Sequence, residues 1–108
     1  RGYSIKLIKS NLEKMITLIK QNNSKVLLMQ IRIPPNYGQK YMLAFEKIYK
    51  DLALSEEVYL MPFMLEEIGI NSELMQPDGI HPNKKAQSLI AKDVKKNIDK
   101  FLLINQSN

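Results

Sequence analysis

The sequence predicts an α/β sandwich with parallel strands, and three observations support this fold class. Apolar residues recur at helical spacing in three long segments, at about 4–22, at about 39–54 and from 83 onward. Two short apolar runs, 25–31 and 57–61, lie between these segments. The order helix, strand, helix, strand, helix is typical of parallel sheets, because parallel strands need long crossover connections. The length of 108 residues allows one domain.

The first predicted helix spans residues 4–22 and begins at Ser4, whose hydroxyl can cap it. The polar run 21–24 ends it. Its apolar residues form one stripe at helical spacing, which predicts packing against a core and not a cofactor site. The stripe consists of Ile5, Ile8, Leu12, Met15, Ile16 and Ile19.

The first predicted strand, 25–31, shows little alternation, as expected of a strand buried on both faces of a parallel sheet. The loop 32–38 follows at its carboxyl end, where open α/β sheets bind ligands. Pro34 and Pro35 stiffen this loop, and Tyr37 offers an apolar ring with a polar tip. The residues alone do not decide whether this segment is an ordinary surface loop or a binding loop.

The second half of the chain is predicted from the same patterns. A helix over 39–54 buries one face, a strand over 57–61 ends at Pro62, and residues 63–76 are mixed, with a helical turn near 66–67. The second helix buries Tyr41, Ala44, Phe45, Ile48, Tyr49 and Leu52. The final helix begins at Asn83 as its N-cap, ends in a frayed tail at Asn105–Asn108, and buries Ala86, Leu89, Ile90, Val94, Ile98 and Phe101.

The segment 77–82, Pro-Asp-Gly-Ile-His-Pro, carries the only histidine of the chain. Its prolines and Gly79 exclude regular helix or strand, so the segment is a short, stiff loop. It presents Asp78 and His81 side by side, which suits a carboxylate that orients an imidazole base. A structural Asp-Gly turn followed by a surface histidine is about as good an account. A metal site is disfavoured, because two ligands are too few.

The net charge of +5 raises the question of a nucleic-acid or membrane partner. The chain has only two arginines, and its aromatic residues lie mostly away from the lysines, so a solvated helix face is the better interpretation. No apolar run approaches the roughly 18 residues that span a bilayer. The absence of cysteine excludes disulfides and thiolate chemistry. Lysines of the last helix are Lys84, Lys85, Lys92, Lys95, Lys96 and Lys100.

Residues 78–83, Asp-Gly-Ile-His-Pro-Asn, resemble the last conserved block of the SGNH (GDSL-type) hydrolases. Residues 27–38 are similar to the strand and substrate loop of the TesA-like branch, whose members are thioesterases, lysophospholipases and arylesterases. The segments 62–67 and 74–76 match the same branch. The resemblance runs from Arg1-Gly2 to Phe101, but the Gly-Asp-Ser-Leu block with the nucleophile and the oxyanion-hole blocks do not occur here.

This resemblance implies that residues 1–108 are the C-terminal portion of one SGNH hydrolase domain, a flavodoxin-like three-layer α/β/α sandwich. It implies a lipolytic hydrolase that cleaves acyl thioesters and carboxylic esters without a cofactor or metal. Asp78 and His81 would belong to a Ser-His-Asp triad, and the chain alone would be inactive. The substrate would contact Ile31, Arg32, Ile33, Pro34, Tyr37, Glu66 and Ile80.

The expected partners follow from the same resemblance. Besides an acyl ester or thioester substrate, the chain should need the N-terminal portion, a strand-swapped neighbour or a second copy to cover its apolar edge and helix faces. Neither nucleic acid nor stable membrane insertion is expected, although weak attraction to anionic headgroups would suit a lipid-processing enzyme. The full-length bacterial protein would be periplasmic or secreted. The alternative function is a non-catalytic α/β binding module in which Asp78 and His81 form a structural turn.

Overall fold

A computed structural model of the chain describes residues 3–106. The chain divides into two compact units, with the boundary between Met61 and Pro62. The first unit contains helix α1 (Ile5–Gln21), strand β1 (Leu27–Met29), helix α2 (Gln39–Ser55) and strand β2 (Tyr59–Met61), with a 3-10 turn at Pro35–Tyr37. The second contains 3-10 turns at Ser72–Leu74 and Lys84–Ala86, then helix α3 (Gln87–Gln106).

Helix α1 begins where the sequence indicates. The Ser4 hydroxyl accepts a hydrogen bond from the Leu7 N–H at 3.4 Å, which satisfies one of the free donors of the first turn. At the other end, the Asn22 side chain donates to the Leu18 carbonyl at 2.9 Å. Asn23 follows with a left-handed backbone, φ 61°, a conformation that asparagine tolerates better than most residues. Hydrogen bonds and backbone conformation of neighbouring residues therefore determine where the helix begins and ends.

The two strands pair in parallel, in the register Leu27 with Tyr59 and Met29 with Met61. Both are shorter than the predicted runs 25–31 and 57–61. Strand β2 starts late because Glu57 has a left-handed backbone, φ 52°, which is incompatible with extended pairing. It stops before Pro62, which has no N–H to donate to a ladder. Strand β1 pairs only over the length of that partner.

The core of the first unit lies between the helices and one face of this sheet. Its buried members are Ile16 from α1 and Ile48, Tyr49 and Leu52 from α2. Alternate strand-segment residues Val26, Leu28, Val58 and Leu60 pack against them, as the two-residue period of a strand requires.

Two burial predictions for the first unit are wrong. Leu27, Leu28 and Met29 are half-buried, not buried on both faces, because the helical core covers only one face of the pair. On α1, Met15 and Ile19 are 50% and 39% exposed, since α2 covers only part of the apolar stripe.

In the second unit, Asn83 caps the final helical segment as predicted, but that segment opens with the 3-10 turn before α3. Ala86 and Ile68 are buried, whereas Leu89 and Ile98, predicted to be buried, are 44% and 41% exposed. Helix α3 continues to Gln106, so the predicted frayed tail is helical up to that residue. Ser107 and Asn108 lie outside the described residues, as do Arg1 and Gly2.

Residues 64–70 form consecutive turns, in which the Gly69 N–H donates to the Leu65 carbonyl at 2.7 Å. This agrees with the helical turn expected near 66–67. Among the helices of residues 3–106, none has the length and apolarity to cross a membrane.

Leu52 has no exposed surface, whereas Leu54 on the same helix is 81% exposed. We expect Leu52→Ala to lower the free energy of unfolding by about 2–5 kcal/mol, through lost burial and the cavity that remains. Leu54→Ala is the matched control and should cost less than about 0.5 kcal/mol. Urea denaturation followed by circular dichroism measures both. Equal losses in the two variants would contradict this core assignment.

Candidate active site

The segment that carries Asp78 and His81 is a loop closed like a hairpin. Met75 and Pro82 form an antiparallel bridge at its base. Inside the bridge, the Gln76 N–H donates to the His81 carbonyl at 2.8 Å, and the Gln76 carbonyl accepts from the Gly79 N–H at 2.9 Å. Gly79 has φ 68°, which glycine adopts without strain. The predicted stiff loop is therefore observed, and its backbone bonds determine where the two side chains lie.

The Asp78 carboxylate organises the tip of this loop. Its Oδ1 accepts hydrogen bonds from the Ile80 N–H at 2.9 Å and the His81 N–H at 3.0 Å. Its Oδ2 lies 2.7 Å from His81 Nδ1. In a neutral imidazole this contact places the proton on Nδ1, so that Nε2 carries the lone pair that a general base needs.

The same contacts control the charge of Asp78. The hydrogen bond from the His81 side chain, followed by the backbone N–H bonds of His81 and Ile80, lowers the pKa of Asp78 to about 2 from its ordinary 3.8. Asp78 is therefore ionised at any physiological pH and can stabilise a protonated imidazole. The side chains of His81 and Asp78 are 67% and 41% exposed, so the pair is accessible to a substrate.

Asn83 has a larger part in this site than sequence reasoning assigned to it. Its Oδ1 accepts from the Ala86 N–H at 3.3 Å, as a helix cap does. Its Nδ2 also donates to the carbonyls of Glu73, at 2.7 Å, and Met75, at 3.3 Å. One carboxamide thus ties the start of the last helical segment to the residues that lead into the loop. No sequence pattern signals the second pair of bonds, because they depend on the fold of the loop.

Gln76 also supports the loop. Its Nε2 donates to the Pro82 carbonyl at 3.1 Å, in addition to the backbone bond to His81. Sequence reasoning did not assign it a role.

The candidate binding residues of the loop 31–37 belong to the first unit. Ile31 and Tyr37 are 49% and 41% exposed, and the Tyr37 ring stacks on Tyr41 with centroids 5.8 Å apart. Arg32 Nε lies 3.3 Å from a carboxylate oxygen of Glu46. Ile33 is half-buried and Pro34 is exposed. The loop therefore displays apolar surface, and its contact with a substrate stays a prediction.

Glu66 and Ile80 occupy different places in the second unit. Glu66 lines a cavity of about 580 Å³, together with Phe63, Leu74, Asp93 and Lys96. Ile80 is 67% exposed. Asp78, Ile80 and His81 do not line this cavity. Glu66 is therefore not brought into a common cavity with the Asp78–His81 pair, and its predicted substrate contact is untested.

Within residues 3–106, no three histidine, aspartate or glutamate side chains converge as metal ligands. The site as described is a pair of residues bonded to each other.

A pH titration tests the Asp78 assignment. Because the folded pKa lies below the ordinary value, the stabilisation from this carboxylate is present above about pH 3.8 and is lost as the pH falls through about 2. Carboxyl-carbon NMR of Asp78 should give a midpoint near 2. His81→Ala should raise the midpoint, since it removes the largest cause of the shift, while Lys85→Ala should leave it unchanged. A wild-type midpoint near the ordinary value would contradict the observed bonds.

A variant series separates the two tasks of Asn83. Asn83→Ser keeps a capping oxygen but loses the amide donors, whereas Asn83→Ala loses both. We expect Asn83→Ala to lower the free energy of unfolding by about 2 kcal/mol and Asn83→Ser by about half of that. Urea denaturation checks the order. If the serine variant matched the wild type, the bonds to Glu73 and Met75 would contribute nothing.

Sequence comparison identifies relatives of this chain. The family described as GDSL-like Lipase/Acylhydrolase matches residues 3–94. An arylesterase of Vibrio mimicus is 48% identical over 102 residues, which cover 94% of this chain and 51% of that protein. Thioesterase 1/protease 1/lysophospholipase L1 of Escherichia coli strain K12 is 44% identical over 91 residues, which cover 84% of this chain and 44% of that protein. The chain thus spans about half the length of these relatives and matches their C-terminal part.

Solved structures agree with the sequence match. The psychrotrophic esterase EstA from Pseudoalteromonas sp. superposes with a TM-score of 0.90 at 37% identity, covering 94% of this chain and 56% of that one. The crystal structure of TesA gives a TM-score of 0.81 at 37% identity with the same coverage. The predicted fold class, an α/β arrangement of the SGNH hydrolase type with parallel strands, is confirmed. On the sequence match and the shared fold together, the chain belongs to the GDSL-like lipase/acylhydrolase, or SGNH hydrolase, family.

Proposed function

We propose that this chain supplies the aspartate and histidine of a lipolytic serine hydrolase that cleaves carboxylic esters and acyl thioesters. The observation that carries the proposal is the 2.7 Å contact between His81 Nδ1 and Asp78 Oδ2, in a loop whose backbone holds the carboxylate in place. The names of the relatives, arylesterase and thioesterase 1/protease 1/lysophospholipase L1, support this substrate class.

The proposed mechanism uses the imidazole twice. His81 Nε2 takes the proton of a serine hydroxyl as the serine oxygen bonds to the acyl carbon. It returns that proton to the departing alkoxide or thiolate when the ester or thioester bond breaks. Water then attacks the acyl-serine with the same assistance and releases the carboxylic acid. Asp78 keeps the Nδ1 proton in place throughout and stabilises the imidazolium between the two transfers.

A phosphonate supports a nucleophilic mechanism in a relative. EstA is described as inhibited by monoethylphosphonate. Tetrahedral phosphorus resembles the tetrahedral intermediate of ester hydrolysis, which an enzyme of this class is built to stabilise.

The acyl chain is proposed to contact the exposed apolar surface of Ile31, Ile33, Pro34 and Tyr37, together with Ile80. Apolar surface of this kind suits a hydrocarbon chain, because binding removes both surfaces from water. Arg32 and Glu66 are the charged candidates. Their role would be to contact the polar end of the substrate.

The serine and the oxyanion donors are proposed to come from an N-terminal portion of the same domain. Large apolar side chains on the outer surface of α1 remain exposed, among them Leu7 and Leu18 at 50% and 59%. Among the described residues, β1 pairs only with β2, so its other edge is open to a further strand. A strand-swapped neighbour or a second copy are the alternative partners. A sharp two-state thermal transition from a monomer would count against all three.

The location proposed for the complete bacterial protein is the periplasm or the exterior, which fractionation of producing cells would test.

A second candidate function is a non-catalytic binding module, and one observation favours it. Asp78 Oδ1 is fully used by two backbone amides of its own loop, as in a structural turn. In that case the histidine contact would be incidental, and replacement of Asp78 and His81 would leave the function unchanged.

The deciding experiment is complementation. The purified 108-residue chain should not hydrolyse a short p-nitrophenyl ester, because the nucleophile, base and oxyanion donors act as a unit. Co-expression with the N-terminal half of the Escherichia coli thioesterase should restore turnover. In that pair, His81→Ala should reduce turnover at least about a thousandfold, whereas Lys85→Ala should not.

Two outcomes would refute the proposal. Turnover by the isolated chain would show that the nucleophile lies elsewhere. Turnover that survives His81→Ala in the complemented pair would show that the base assignment is wrong.

A further inference from the structure

Charge is segregated along the second unit. Residues 62–83 contain four acidic side chains and no lysine or arginine, whereas residues 84–106 contain six lysines and only two aspartates. Helix α3 and the turn before it therefore form a cationic segment with a net charge of +4, directly after an anionic one. A helix can be solvated without such an excess of positive charge.

Lys92 lies on the side of α3 opposite its packed side. Asn97 is 7% exposed, and Ile90, Val94 and Phe101 are half-buried, which defines the packed side. Lys92 and Leu103 are eleven residues apart, about three turns at 3.6 residues per turn, so both lie on the outward side. Lys96 instead lines the cavity that also contains Glu66 and Asp93.

Apolar side chains extend this outward side at the end of the helix. Leu102 and Leu103 are 52% and 66% exposed. Two consecutive leucines in solvent, beyond the exposed lysines, match the composition of helices that lie at a membrane interface. Lysines there meet lipid phosphates, while apolar side chains enter the boundary of the acyl chains.

We propose that the exposed outward side of α3, formed by Lys92, Lys95, Leu102 and Leu103 with Lys100 at its edge, is a peripheral docking surface for anionic phospholipid membranes. Charge complementarity supplies the attraction, at long range and in a salt-dependent manner. The exposed leucines select a lipid surface over a nucleic acid, because phosphate backbones offer no apolar layer to receive them. Among the lysines, Lys95 also forms an ion pair with Asp99 at 2.8 Å, which leaves Lys92 and Lys100 as the main contacts.

This surface stands independently of the proposed esterase activity, since it is argued from helix α3 alone. If both hold, the docking surface would bring the Asp78–His81 loop to the surface where ester lipids reside. Peripheral docking of this kind is not insertion, in keeping with the absence of a spanning helix in the described part of the chain.

Vesicle co-sedimentation of the purified chain tests the proposal without any activity measurement. Binding to phosphatidylglycerol vesicles should exceed binding to phosphatidylcholine vesicles by at least about tenfold and should fall steeply with added salt. Lys92→Gln/Lys100→Gln should weaken binding about tenfold. Lys6→Gln/Lys14→Gln on α1 removes the same charge and should have a much smaller effect.

A second pair of variants tests the apolar half of the surface at constant charge. Leu102→Ser/Leu103→Ser should reduce binding about tenfold. Leu7→Ser/Leu18→Ser is the matched control, because those leucines on α1 are similarly exposed. Circular dichroism establishes that each variant keeps its helices.

Three results would overturn the proposal. These are equal affinity for neutral and anionic vesicles, equal losses in the α1 and α3 variants, and binding to duplex DNA that outcompetes anionic vesicles. None of them would affect the complementation experiment, so the two proposals fail separately.

Discussion

The candidate site depends on the hydrogen bonds that the Asp78 carboxylate accepts. One oxygen accepts two backbone amides and the other meets the imidazole, so the side chain that shapes the loop also orients the base. The backbone bonds keep the carboxylate still and ionised, and a fixed anion is what holds one imidazole tautomer. A structural turn and a catalytic dyad are therefore the same set of contacts, which is why complementation, and not geometry alone, separates the two functions.

The conformation of the loop is fixed by hydrogen bonds to residues on either side of it. The Met75–Pro82 bridge closes its base, and the Asn83 carboxamide joins the incoming segment to the start of the last helical segment. Short side chains with several bonds lose little conformational freedom for each contact formed, so such anchors give rigidity at small entropic cost. The second unit thus combines a fixed acidic loop with a cationic helix, and these two features support two separate proposals.

The first unit has a different character. Its two helices and two strands share one compact core, but a pair of three-residue parallel strands has little stability by itself. Half-buried strand residues and exposed apolar residues on α1 are what such a unit shows when its helices cover one face of the sheet, although Met61 at the end of β2 is fully buried.

The sequence by itself determined the features that arise from neighbours in the chain. These include the α1 and α2 boundaries, the caps at Ser4 and Asn83, and the proximity of Asp78 to His81, since residues three apart in a tight turn lie close together. Tertiary structure decided the rest. The length of β2 depended on the backbone conformation at Glu57. The exposure of Leu89 and Ile98 depended on which segments pack against α3. The amide bonds of Asn83 depended on the path of the loop. Periodicity marks which residues are apolar, but only contacts between distant segments determine which of them water still reaches.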